Sequence, residues 1–207
     1  MPNYKLLYFD ARALAEPIRI MFAMLNVPYE DYRVSVEEWS KLKPTTPFGQ
    51  LPILQVDGEQ FGQSMSITRY LARKFGLAGK TAEEEAYADS IVDQYRDFIF
   101  FFRQFTSSVF YGSDADHINK VRFEVVEPAR DDFLAIINKF LAKSKSGFLV
   151  GDSLTWADIV IADNLTSLLK NGFLDFNKEK KLEEFYNKIH SIPEIKNYVA
   201  TRKDSIV

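Results

Sequence analysis

Three short stretches of the chain carry residues that could hold a small polar ligand. Tyr8 ends a β-like run, so its hydroxyl could emerge at the edge of a sheet and donate a hydrogen bond. Leu51-Pro52 places a proline at the start of a strand, where it could be cis and present the Leu51 backbone to a ligand. Gln63-Ser64 begin a predicted helix, where backbone N–H groups and the helix dipole favour a carboxylate.

Each stretch also has a plainer interpretation. The chain has 10 tyrosines, and most tyrosines serve packing. Pro52 fits an edge strand equally well, and Gln63-Ser64 fit an ordinary helix N-cap. From these residues alone the ligand-binding and the structural interpretations both stay open.

Other kinds of site are poorly supported by the residues present. The chain has no cysteine, which excludes a disulfide framework, a thiolate zinc site and a cysteine nucleophile, so any sulfur chemistry must come from a ligand. The only histidines, His117 and His190, have no serine and acid arrangement around them, so neither a triad nor a metal site is expected. A phosphate-cradling glycine loop is also missing.

The composition is that of a folded protein without a nucleic-acid surface. Of 207 residues, 46% are hydrophobic and 14% aromatic, which is enough to fill cores. The formal net charge of -3 gives no basic stripe for a phosphate backbone. Charged residues interrupt the first 17 positions, and no apolar run reaches the length of a membrane span. We expect a soluble, cytoplasmic protein with no nucleic-acid or membrane partner.

Hydrophobic periodicity predicts an α/β layer of about eighty residues in the first part of the chain. Pro17 is tolerated in the first turn of its helix, and Asp57-Gly58 is a strong hairpin signal. The predicted order is a strand at Lys5–Phe9, a helix at Ala15–Leu25, a strand at Tyr29–Val34, a long loop, strands at Pro52–Val56 and Gln60–Phe61, and a helix capped by Ser64 and running toward Phe75.

After the glycine-containing break at 76–82, the pattern predicts only helices. Thr155 and Asp158 have capping-box spacing, which is a folding signal rather than chemistry. The predicted domains are therefore residues 1–78 and 82–207. The helices of the second domain are expected at Glu83–Tyr111, Ile118–Ala142, Thr155–Leu169 and Lys180–Ile189.

A set of short motifs along essentially the whole chain resembles the sigma-class cytosolic glutathione transferases, a group that includes the haematopoietic prostaglandin D synthases and many nematode enzymes. Each motif is weak alone, but their order and spacing together are specific. The motifs are Met1-Pro2-Asn3-Tyr4-Lys5-Leu6, Tyr8-Phe9, Ala15-Glu16, Tyr29-Glu30-Asp31, Trp39, Pro47-Phe48-Gly49, Pro52-Ile53-Leu54, Val56-Asp57-Gly58, Gln63-Ser64, Arg69-Tyr70-Leu71 and Thr155-Trp156-Ala157-Asp158.

The resemblance implies a thioredoxin-like α/β domain that binds glutathione, an all-α domain that lines the pocket for a hydrophobic substrate, a homodimer and no metal. It implies that Tyr8 donates a hydrogen bond to the glutathione sulfur and that Asp97 reaches the γ-glutamyl amine from the partner subunit. The other implied glutathione contacts are Trp39 and Lys43 for the glycine carboxylate, Gly49 and Gln50 in the adjoining loop, the Leu51 backbone before a cis Pro52, and Gln63 and Ser64 for the γ-glutamyl group.

Two positions depart from the family pattern. Leu14 stands where many members have an arginine near the catalytic tyrosine, so Arg12 is the candidate for tuning the thiolate. Gln50 stands where a lysine is common, although an amide can still donate a hydrogen bond.

The predicted activity is conjugation of glutathione to small hydrophobic electrophiles in detoxification, with reduction of organic hydroperoxides by the same thiolate. The expected electrophile pocket consists of Leu14, Phe102, Phe105, Val160 and Asn164. Helical spacing also allows Phe102 and Phe105, like Phe98 and Phe101, to be core residues. The alternatives are a prostaglandin-type isomerase and a non-catalytic carrier or crystallin-like protein on the same fold.

Overall fold

A computed structural model of the chain describes residues 2–205. Met1, Ile206 and Val207, which the predicted domain ranges include, lie outside the described residues. Packing divides the described chain into two compact units, one of residues 2–78 with 189–205 and one of residues 79–188. These units are defined by packing, and the predicted domain limits remain a prediction.

A four-stranded sheet organises the first unit, with strand order β2-β1-β3-β4. Strand β1 is parallel to β2 and antiparallel to β3, and β3 is antiparallel to β4. The predicted strands and helices are all present, with ends shifted by at most one residue. In chain order the elements are β1 (Tyr4–Phe9), α1 (Glu16–Met24), β2 (Glu30–Val34), α2 (Val36–Leu42), β3 (Ile53–Val56), β4 (Glu59–Gly62) and α3 (Ser64–Lys74).

The hairpin between β3 and β4 forms at the predicted turn. Asp57 and Gly58 both have positive φ, at 51° and 92°, as a two-residue hairpin loop requires. The cap of α3 differs from the prediction. Gln63, with φ of 69°, is the N-cap residue, and Ser64 is the first helical residue because the Ile67 N–H already bonds to the Gln63 carbonyl.

The predicted long loop after β2 contains helix α2, which the periodicity missed. Seven residues are too few for an apolar repeat to stand out. The signal that identifies it is a capping box, because Ser35 Oγ accepts from the Glu38 N–H and the Glu38 carboxylate accepts from the Ser35 N–H. A second helix that was not predicted, α9 (Pro193–Thr201), begins at a proline and packs against α1.

The second unit is helical, as predicted. Its longest helix, α4 (Ala82–Phe110), packs against α6 (Glu127–Lys143) and α7 (Trp156–Lys170). The helix expected at Ile118–Ala142 is instead three pieces: α5 (Ala115–Lys120), a π-helical segment at Val121–Val126, and α6. Helix α8 (Lys180–His190) follows α7.

Asp158 holds the start of α7 in place, as its capping-box spacing predicts. Its carboxylate accepts hydrogen bonds from the N–H groups of Thr155, at 2.7 Å, and Leu149, at 2.8 Å. The side chain is fully buried, and this burial outweighs the hydrogen bonds and raises the pKa of Asp158 to about 6.

Candidate functional site

Strand register brings the predicted glutathione-binding segments of the first unit to one end of its sheet. Leu7 pairs with Ile53 and Ile53 pairs with Gly62, so the end of β1, the start of β3 and the end of β4 are adjacent. The end of β2 joins them because Phe9 pairs with Val34. Residues far apart in the chain therefore meet at this end.

Tyr8 is the penultimate residue of β1 and is 8% exposed. Its ring packs beside Phe9, with ring centroids 5.9 Å apart. The guanidinium carbon of Arg19, on α1, lies 5.8 Å from the centre of the Tyr8 ring. A buried cation thus adjoins the tyrosine that the sequence singles out.

Trp39 and Leu51 anchor α2 and the loop before β3 on the sheet. Both side chains are partly buried against a small core of Leu7, Val34 and Ile53. The peptide bond between Leu51 and Pro52 is cis, as the resemblance implies.

Lys43 and Gly49 lie against each other in the segment between α2 and β3. Gly49 has φ of 59°, and a Cβ atom there would lie 3.6 Å from the Lys43 side chain. Lys43 is exposed, so its ammonium group is accessible to an anion.

Gln50 and Gln63 are joined directly across the site. Gln63 Nε2 donates a hydrogen bond of 3.1 Å to Gln50 Oε1, and both side chains are exposed. Beside them the N–H groups of Ser64 and the following residues precede the first intrahelical bond of α3, so they can donate to an anion. Ser64 itself is buried.

The arrangement offers two places for an anionic group. One is the start of α3 with its glutamine pair, and the other is the exposed ammonium of Lys43. Tyr8 and the Leu51 backbone stand in the adjoining part of the same sheet end. A ligand with a carboxylate at each end and a polar group between them matches this distribution of donors.

Two of the predicted site residues, Arg12 and Leu14, lie in the segment between β1 and α1. Arg12 is buried, and its Nη2 donates to the Ser205 carbonyl at 3.5 Å. Leu14 lies half-buried in the turn before α1.

The remaining predicted site residues belong to the second unit. Phe102 and Phe105 are buried and pack edge to face on Phe173, so their side chains form part of that unit's core. Val160 and Asn164 are buried on α7, and the Asn164 Oδ1 has no hydrogen-bond partner among residues 2–205. Their assignment to an electrophile pocket stays a prediction.

Asp97 is exposed on α4. Within the described residues it makes no ion pair or hydrogen bond. Its predicted role across a dimer stays a prediction.

The sequence interpretation did not single out Arg19, which the structure places beside Tyr8. Its signal in the sequence was weak: an arginine three residues after Glu16 on a predicted helix, which is usually a surface pair. Here both side chains are buried, and Arg19 Nη1 donates to Glu16 Oε2 at 3.0 Å.

Neither a metal-ion cluster nor a membrane-spanning helix is found among residues 2–205. Across this range, no three or more histidine and acidic side chains are grouped so that they could hold a metal ion. No helix in it combines the length and the apolar character that crossing a membrane requires.

Comparison with known proteins gives the same family along both parts of the chain. The family model described as "Glutathione S-transferase, N-terminal domain" matches residues 4–73, and "Glutathione S-transferase, C-terminal domain" matches residues 101–202. Glutathione S-transferase 3 of Caenorhabditis elegans is 50% identical, covering 99% of both chains. Glutathione S-transferase 1 of Ascaris suum is 48% identical, covering 98% of both.

A solved structure extends the likeness to the fold. The glutathione S-transferase from Ascaris lumbricoides superposes with a TM-score of 0.91 at 45% identity, covering 100% of both chains. An α/β unit of thioredoxin type followed by helices is thus the fold of this chain. The chain belongs to the glutathione S-transferase family and is an enzyme of that family, with glutathione as a substrate.

Proposed function

We propose that this enzyme conjugates glutathione to small hydrophobic electrophiles and that Tyr8 holds the glutathione sulfur as a thiolate. The observation that carries the proposal is the meeting of Tyr8, Leu51 and Gln63 at one end of the sheet, through the register of β1, β3 and β4. We also propose that the enzyme serves detoxification, because conjugation to glutathione removes reactive electrophiles.

Conjugation requires that the pKa of the glutathione thiol be lowered. A thiol with a reference pKa near 8.5 is mostly protonated at neutral pH, and the thiolate is the nucleophile. A hydrogen bond from the Tyr8 hydroxyl to a charged sulfur contributes roughly 1.5 to 3 kcal/mol, which lowers the thiol pKa by about one to two units. The thiolate then becomes the main form, and the electrophile has only to be placed beside it.

Glutathione has a carboxylate at each end, which fits the two donor sets described above. In this proposal the γ-glutamyl carboxylate binds at the start of α3, beside Gln63, Ser64 and Gln50. The glycine carboxylate binds Lys43 and Trp39. The cysteinyl unit lies along the Leu51 backbone, which supports the placement of its sulfur near Tyr8.

The electrophile is proposed to contact a mainly apolar set of side chains, which suits a hydrophobic substrate. The same thiolate would reduce organic hydroperoxides. The set is Leu14, Phe102, Phe105, Val160 and Asn164.

A homodimer is proposed because Asp97 is an exposed carboxylate that can bind an ammonium group of a ligand held by the partner subunit. Dimers are not universal among the structures similar to this chain. A glutathione S-transferase of the hookworm Necator americanus, 43% identical with a TM-score of 0.92, is described as monomeric. Sedimentation of the purified enzyme decides between the two states.

The similar solved structures bear on which class of glutathione S-transferase this enzyme belongs to. A Nu-class enzyme of Haemonchus contortus is 43% identical with a TM-score of 0.90, and rat hPGDS is 33% identical with a TM-score of 0.89. The likeness to rat hPGDS supports the sigma-class assignment and the alternative of a prostaglandin-type isomerase. The higher identity to the Nu-class enzyme counts against the sigma-class assignment and favours a nematode class with transferase rather than isomerase activity. A cytoplasmic location remains a prediction that cell fractionation can test.

The proposal is tested by assaying the purified enzyme with glutathione and a chloronitrobenzene, beside retention on a glutathione-affinity column. Conjugation with retention is the expected result. Retention without conjugation would instead support a non-catalytic carrier, and loss of both would contradict the glutathione site.

A further inference from the structure

Arg19 is a buried cation next to the ring of Tyr8, the proposed catalytic residue. It lies on α1 without measurable exposure, and its guanidinium carbon is 5.8 Å from the Tyr8 ring centre. Removing a guanidinium from water costs free energy, so a buried one needs hydrogen-bond acceptors around it. Those acceptors determine how much of its field reaches Tyr8.

The acceptors hold Arg19 in one orientation. Nη1 donates to the Ala11 carbonyl at 2.7 Å and to Glu16 Oε2 at 3.0 Å, while Nε donates to Asp31 Oδ1 at 3.2 Å. Nη2 is buried and has no hydrogen-bond partner in the described part of the chain. Although desolvation lowers the pKa of Arg19, Asp31 and Glu16 outweigh it and raise that pKa above its ordinary value. Arg19 therefore remains charged.

The groups around Arg19 come from α1, β2, α9 and the turn after β1. Glu16 is shared with Arg202 and the Tyr198 hydroxyl, and Asp31 is shared with Arg33. Burial raises the pKa of Tyr29 to about 12 and that of Tyr198 further still, so both stay neutral. Among the described residues whose contacts link them to this cluster, the bases are Arg12, Arg19, Arg33, Arg202 and Lys203 and the acids are Asp10, Glu16 and Asp31. Within this set the bases outnumber the acids.

We propose that Arg19 is the positioning residue that sets the ionisation of the thiol bound at Tyr8. The inference rests on the proposed function, and it assigns to Arg19 what the family pattern would place at residue 14 or Arg12. Leu14 has no charge, and Arg12 directs a guanidinium nitrogen to the Ser205 carbonyl. Arg19 acts through the Tyr8 ring and its field, without contact with the sulfur.

Arg19 should therefore change the pKa at which bound glutathione releases its thiol proton, and this pKa can be measured. When glutathione binds, its S–H bond is broken, the proton passes to solvent water, and the electron pair stays on sulfur. A positive charge behind Tyr8 favours that state. Because Glu16 and Asp31 offset part of this charge, we expect Arg19 to lower the thiol pKa by about one unit, a tenfold change in the thiolate ratio.

The test measures thiolate absorbance of enzyme-bound glutathione against pH. Arg19→Met should raise the thiol pKa by about one unit, and Arg19→Lys should largely keep it because the charge remains. Asp31→Asn should move the pKa in the opposite direction, since it removes an acid that offsets Arg19 and is already 26% exposed. A merely structural role would give lower activity in both variants without opposite pKa shifts.

Arg73→Met is the matched control, because it removes an equal charge from an exposed position on α3, outside the charged groups around Arg19. We expect its thiol pKa to stay near wild type, and a shift there but not in Arg19→Met would overturn the inference. If Arg19→Met does not fold by circular dichroism, Arg19→Lys and Asp31→Asn decide. An unchanged pKa in Asp31→Asn then contradicts the inference. Absence of thiolate in the wild type would instead overturn the proposed function itself.

Discussion

The side-chain amide of Gln63 donates to the side-chain amide of Gln50 over 3.1 Å, so two glutamines from opposite sides of the β3–β4 hairpin present one polar surface. Each keeps further donor capacity for a ligand carboxylate. We expect Gln63→Ala to weaken glutathione binding about tenfold, near 1.4 kcal/mol, with little change in kcat at saturating glutathione. Isothermal calorimetry gives the affinity.

Gln63 has φ of 69°, which provides an internal control for that experiment. Gln63→Gly removes the same side chain and relieves the backbone, so it should bind as weakly as Gln63→Ala while being at least as stable to urea. Gln104→Ala, an exposed amide on α4, should bind normally. Wild-type affinity in both Gln63 variants would contradict the assignment.

Tyr8→Phe removes only the hydroxyl. We expect kcat/KM to fall about tenfold to a hundredfold, corresponding to roughly 1.5 to 3 kcal/mol, while glutathione affinity stays within a few-fold. The pH profile should move toward the pKa of free thiol, because the stabilised thiolate is lost. Tyr111→Phe, at a highly exposed position, is the control. Unchanged turnover with an unchanged pH profile would rule out this role of Tyr8.

The sheet that gathers the site was predictable because its cues are local. Alternating strands, Asp57-Gly58 and the break after Phe75 fix the order of elements. The partners of Arg19 were not predictable in the same way. Its environment depends on Asp31 from β2 and on α9, through Arg202 and Glu16, which lie 186 positions apart. No periodicity carries such long-range pairing, and the residue therefore resembled an ordinary surface arginine.

Ser35 connects the fold to the site through α2, because this capped helix carries Trp39 and leads into Lys43. Ser35→Ala should destabilise the helix by about 1 kcal/mol, the usual cost of losing a serine N-cap. We expect a higher KM for glutathione with nearly unchanged kcat. Ser40→Ala, on the same helix, keeps the cap and should leave KM unchanged. Equal effects of the two substitutions would argue against the capping explanation.

Asp158 should make stability depend on pH in an unusual direction. Its pKa is raised by burial to about 6, against an ordinary value of 3.8, so the folded state holds the proton more tightly than the unfolded state. Its contribution is therefore most favourable at low pH and is lost as pH rises from 3.8 to 6. The free energy of unfolding of the wild type, relative to Asp158→Asn, should rise by about 1.4 kcal/mol between pH 7 and pH 5. Urea titrations of both proteins at the two pH values measure this difference. A difference that does not change with pH would contradict the raised pKa of Asp158.

Asp97 offers the sharpest test of a shared site. Its carboxylate is exposed on α4 and makes no ion pair with the described residues, so it is available to another molecule. In a two-fold dimer each subunit can offer this carboxylate to the γ-glutamyl ammonium bound by the other, a charge-assisted contact of roughly 1.5 to 3 kcal/mol. Asp97→Asn should then weaken glutathione binding tenfold or more. If Asp97 is only a solvated helix residue, the change should be negligible.

The control for Asp97 is Asp116→Asn, which makes the same change in net charge at an exposed position on α5. Calorimetry gives the glutathione affinity of both variants, and sedimentation establishes whether each is still a dimer. Loss of affinity in Asp97→Asn alone, with the dimer intact, is the result we expect, because a contact made across the two-fold axis is removed without separating the subunits. Wild-type affinity in an intact Asp97→Asn dimer would exclude the shared site. If the wild-type enzyme sediments as a monomer and still binds glutathione, the shared site is excluded independently.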